Sequence, residues 1–141
     1  MWSQSGYRGL VRASGWYDLL VAAAFVTPWS LMLLHGMLRQ LSAQWGLAGD
    51  LPEFAPLHGL MANLMGSIVC VWSVLRIRDP QLQFGRYDAV GRLLFATWQG
   101  YALMQGATQL LWGTLVMEVL WAILQLWPMQ QADQKTTNPV S

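Results

Sequence analysis

The chain has 141 residues, 55% of them apolar and 11% charged, against about 25% charged in an ordinary soluble domain. Eight basic and seven acidic side chains, a net charge of +1 and a mean hydropathy of +0.33 leave too little charge to solvate a globular surface. The balance excludes a disordered chain, a coiled coil and a conventional nucleic-acid binder, the single cysteine excludes a disulfide scaffold, and an all-α integral membrane protein remains.

A bilayer core takes about 20 mostly apolar residues per helix. The gaps between charges give four such spans. The first runs over about 17–38, free of charge from Leu19 to Leu38. It is longer than the apolar core of a secretory signal, so it reads as retained. Pro28 is expected to kink it. The second runs over about 55–75, between Glu53 and Arg76. Beyond Arg92 only Glu118 is ionisable before Asp133. That stretch is therefore two spans, about 87–106 and 109–127, joined by a tight turn at Gln105-Gly106-Ala107-Thr108-Gln109. Continuous apolar runs exclude β-barrel strands, which alternate in polarity.

Four spans put both termini and the 76–92 loop on one side. That side holds Arg8, Arg12, Arg76, Arg78, Arg86, Arg92 and Lys135, and the other holds Arg39 with Asp50 and Glu53. The excess places both termini in the cytoplasm, in a membrane of the bacterial inner type. Trp16, Tyr17, Trp72, Tyr87 and Trp127 fall near one interface, and Trp45, Phe54 and Trp112 near the other. Residues 1–128 read as one transmembrane domain, and 129–141 as a disordered polar tail.

Offset by 70 residues, the chain matches itself at 8 of the 27 positions from 15 to 41. Gly15-Trp16-Tyr17-Asp18 falls on Gly85-Arg86-Tyr87-Asp88, and Phe25, Thr27, Leu33, Gly36 and Leu41 fall on identical residues. The match suggests two helical hairpins related in parallel. Asp18 and Asp88 are expected in the first turns of their helices, as caps and as ion-pair partners of Arg12, Arg86 and Arg92.

Glu118, near the middle of the fourth span, is the sharpest polar feature, because an intramembrane carboxylate is costly and faces the bundle interior. Its expected partners at similar depth are Gln99, Thr97, Thr27 and Ser67, and with Asn63 they outline a polar intramembrane site. His35 and His58 fall toward the outer side on adjacent helices, where two histidines can hold a haem or a metal ion. Ala62, Gly66 and Cys70 make a small-residue stripe expected to pack the second span on the third. Arg76 and Arg78 belong to a basic loop suited to headgroups or a partner domain.

Phosphate loops, metalloprotease motifs and nucleophile elbows are all missing from the sequence. The reading is a non-catalytic subunit of a homo-oligomer or of a larger transport or redox membrane complex. Two alternatives stand beside it: a redox protein with haem or metal on His35 and His58, and a lipid- or solute-handling protein with its cavity at Glu118.

Overall fold

The computed structural model describes residues 1–49 and 51–129. Asp50, Lys135 and the polar tail from 130 onward lie outside these residues. The described chain forms five helices: α1 (Gln4–Ala23), α2 (Pro28–Gln44), α3 (Pro56–Arg78), α4 (Leu82–Met104) and α5 (Leu111–Leu126). It contains no strand, only an isolated bridge between Trp2 and Met129.

α1 starts well before the expected position 17. Ser3 caps it, its Oγ accepting from the Gly6 N–H at 3.1 Å. Tyr7, Val11 and Ser14, spaced by four and three, are buried and draw this early segment into the interior.

The expected single first span is not one kinked helix. The chain breaks at residues 24–27, and α2 leaves α1 at 91°. Pro28 cannot donate to the preceding turn and its ring collides there, so the helix has to restart. Thr27 and Ser30 form the restart. Thr27 Oγ1 accepts from the Ser30 N–H at 3.1 Å, and Ser30 Oγ accepts from the Thr27 N–H at 3.3 Å. The break frees the Phe25 carbonyl, which accepts from Asn63 Nδ2 at 2.7 Å.

α3 packs antiparallel on α1, and α5 packs antiparallel on α4 after a turn in which Gly106 takes φ +89°. The expected packing of α3 on α4 through small residues is not what forms. Gly66 instead receives the backbone of Phe25 at the α1–α2 break, because that is where the interrupted helix presents its main chain. α1 and α4 run parallel, with Gly85 of α4 against Tyr7 and Val11 of α1. Their likeness in structure ends at the break: α4 continues unbroken through Phe95–Thr97, the positions matching Phe25–Thr27.

Among the described residues, by length and apolarity, α3 alone qualifies as a membrane-crossing helix; α1 and α2 qualify only as a bent pair, and α5 is apolar but has 16 residues. Buried positions are divided between apolar side chains such as Tyr7 and Val11 and polar ones. The fully buried side chains include Arg76, Gln125, Ser14 and Ser73, while Leu57, Leu60, Met61, Leu64, Ile68 and Val71 of α3 are exposed.

Candidate functional site

The polar interior is a charge cluster at the end of the molecule where α1, α3, α4 and α5 meet. Arg76 lies two residues from the end of α3 and is fully buried. Its Nη1 donates to Asp88 Oδ2 at 2.5 Å and to Ser14 Oγ at 3.0 Å, and its Nη2 donates to Asp18 Oδ2 at 2.5 Å. Arg92 is its counterpart on α4. Its Nε donates to Asp88 Oδ2 at 3.0 Å, its Nη2 to Asp18 Oδ2 at 2.5 Å, and its Nη1 to Glu118 Oε2 at 2.9 Å.

Asp88 is the hub. Its Oδ2 also accepts from Gln125 Nε2 at 2.7 Å, and its Oδ1 accepts from Trp72 Nε1 at 3.0 Å. Gln125 donates a second bond, to Ser14 Oγ at 3.0 Å, tying α5 to α1. The guanidiniums are flanked by indoles, Arg76 at 5.6 Å from the Trp72 ring centroid and Arg92 at 5.7 Å from that of Trp121. Two cations thus face three carboxylates in a largely enclosed space, and each charge meets at least one opposite charge at hydrogen-bond distance. Bonds of this charge-assisted kind are roughly twice as strong as neutral ones.

This arrangement corrects several expectations. Asp18 and Asp88 are not in first turns: α1 starts at Gln4 and α4 at Leu82, so both carboxylates lie inside their helices and face the cluster. Their partners are Arg76 and Arg92. Arg12 and Arg86 serve elsewhere, donating to the terminal carbonyls of Ile77 at 3.3 Å and Leu126 at 2.9 Å. Arg76 is no headgroup contact, since it is buried; Arg78 remains exposed.

Glu118 faces Arg92 rather than the polar residues expected around it. Gln99 Oε1 accepts from Thr114 Oγ1 at 2.9 Å, Asn63 is occupied by Phe25, and Ser67 and Thr97 return their hydroxyls to carbonyls of their own helices. The five do not converge: Asn63 is held at the α1–α2 break, Ser67 is exposed on α3, and Gln99 is engaged with Thr114 between α4 and α5.

His35 Nε2 lies 3.0 Å from the Pro52 carbonyl oxygen and its ring packs on Phe54 at 4.9 Å between centroids. His58 is exposed at the start of α3. Among the described residues no three histidine, cysteine or acidic side chains group as metal ligands.

Sequence reasoning paired Arg92 with Asp88 but missed Arg76, Ser14, Trp72 and Gln125. The signal was present as spacing. Tyr7, Val11, Ser14 and Asp18 repeat at four, three and four, and Asp88 with Arg92 at four, which places each set on one helix face.

Among the described residues Glu118 is the most lightly held carboxylate of the cluster, bonded to Arg92 alone. Glu118→Gln keeps an acceptor for that bond, so it lowers stability by about 1 kcal/mol or less, a shift of about 2–4 °C in the unfolding midpoint in mild detergent. A loss comparable with that from removing Asp88 would contradict this ranking.

Comparison of the chain with protein families, with curated proteins and with solved structures finds no match in any of the three.

Proposed function

We propose that this chain is a small integral membrane protein that acts as a non-catalytic component of a larger membrane assembly. It crosses the bilayer through the broken α1–α2 segment and through α3, α4 and α5, with both termini cytoplasmic. The observation that carries the reading is the exposure of the apolar residues of α3. Only 17% of the apolar window of α3 is buried, whereas the core helix of a soluble protein hides most of its surface. Exposed apolar faces of this extent are stable against lipid or another membrane subunit.

The non-catalytic reading is supported by how the cluster is used. Its carboxylates are engaged by arginines on neighbouring helices, an arrangement that fixes helix positions. Ionisable groups inside membranes are retained where they pair with one another and face the interior.

The test is fractionation of the full chain. Alkaline carbonate washing is expected to leave it in the membrane fraction, and extraction in mild detergent is expected to yield a complex larger than the monomer. Release by carbonate would defeat the membrane reading, and a monodisperse monomer would defeat the assembly reading. The same preparation is expected to be colourless and metal-free. A Soret band lost in His35→Ala would replace this proposal with the redox alternative.

A further inference from the structure

One exposed strip of α1 carries Arg8, Arg12, Trp16 and Leu20, each four residues from the next. Residues at this spacing are neighbours on a helix surface. The strip therefore passes from two guanidiniums through an indole to an alkyl side chain, going from the charged end of the molecule toward its middle. α3 runs antiparallel beside it and repeats that order, with Arg78 in its last turn followed by exposed Val74 and Val71.

The two strips are joined at the charged end. Arg12 Nε donates to the Ile77 carbonyl at 3.3 Å, one residue from Arg78. This contact places a cation at the negative end of the α3 dipole. The Nη groups of Arg12 make no hydrogen bond among the described residues. Asp79, next to Arg78 in the chain, accepts from Gln81 Nε2 through its carboxylate.

We propose that Arg8, Arg12 and Arg78 seat the phosphate of an anionic phospholipid of the cytoplasmic leaflet, with its acyl chains along Trp16, Leu20, Val74 and Val71. The inference rests on the membrane reading above and adds a particular lipid class to it. Topology alone needs an excess of cations on one side; it does not need two of them aligned over an interfacial indole and an apolar strip. A zwitterionic headgroup brings its own cation toward three guanidiniums and is disfavoured. The remaining exposed arginine on the opposite side, Arg39, is paired with Glu53 at 3.5 Å and has no such corner.

Native mass spectrometry of the full chain in mild detergent, titrated with phosphatidylglycerol or phosphatidylcholine, tests the proposal. Wild type is expected to retain one phosphatidylglycerol and no phosphatidylcholine. Arg8→Gln combined with Arg12→Gln is expected to weaken that retention about 25-fold, and Arg39→Gln to leave it unchanged. All these side chains are exposed, and Arg78→Gln on the neighbouring helix gives an independent second reading. Equal retention of both lipids, retention unaltered in the arginine variants, or displacement by millimolar inorganic phosphate would overturn the lipid seat. Carbonate release of the protein would instead overturn the membrane reading beneath it. A membrane-held protein with no lipid preference fails the seat alone.

Discussion

Asp88→Ala is expected to lower the stability of the protein by about 3–5 kcal/mol, the cost of depriving four buried donors, two of them guanidinium N–H groups, of their shared acceptor. The carboxylate accepts from Arg76, Arg92, Gln125 and Trp72, which come from three helices. Its removal leaves two guanidiniums sharing Asp18, with Glu118 on Arg92 alone, and leaves the Trp72 indole N–H unpaired. The midpoint of thermal unfolding in mild detergent should fall by about 10 °C or more. Asp88→Asn should lie between wild type and alanine, because the amide oxygen still accepts while the charge is lost. If Asp88→Ala unfolds at the wild-type temperature, the cluster does not hold the helices together.

Much of the apolar architecture was legible because it rests on the distribution of apolar residues. Residues 55–75, 87–106 and 109–127 lie within or close to α3, α4 and α5, since long stretches without charge admit little but helix. The start of α1 was not legible by that route. Arg8 and Arg12 mark residues 4–16 as polar, and the buried spacing of Tyr7, Val11 and Ser14 carries less weight than two charges in any average of hydropathy. The position of the cluster was hidden for a related reason. Arg76, Asp88 and Arg92 bound the apolar runs, so they read as the edges of spans, whereas α3 and α4 continue past them and turn them inward.

The G-x-Y-D motif shows how far a local pattern reaches. Both aspartates accept from the same two arginines, and both glycines lie where another helix comes close. A Cβ on Gly15 would meet the Ser73 carbonyl oxygen at 3.1 Å, and one on Gly85 the Tyr7 hydroxyl at 2.5 Å. The motif is thus a close-contact residue followed three positions later by a carboxylate, on the same helix face, pointing at a shared cation pair. Capping fitted the residue types equally well; only the course of the backbone separates the two.

Gly66→Ala sets two opposing effects against each other at the α1–α2 break. Alanine favours a helix interior over glycine by about 1 kcal/mol. Against that, a Cβ at this position would lie 2.6 Å from Phe25 Cβ, 2.8 Å from its carbonyl carbon and 2.9 Å from its carbonyl oxygen. Two of these atoms belong to the backbone and cannot rotate away. The same carbonyl accepts from Asn63 Nδ2, so moving it also weakens a bond worth about 1 kcal/mol. Overpacking of this kind costs about 1–3 kcal/mol, and the close approach should prevail: Gly66→Ala is expected to destabilise by about 2 kcal/mol, lowering the unfolding midpoint by about 4–8 °C. Gly91→Ala, inside α4 with nothing beyond its own helix backbone and chain neighbours within 4 Å of its would-be Cβ, provides the control and should stabilise by about 0.5–1 kcal/mol through helix propensity. Equal stabilisation by both substitutions would show that α3 does not clasp the broken helix at Phe25.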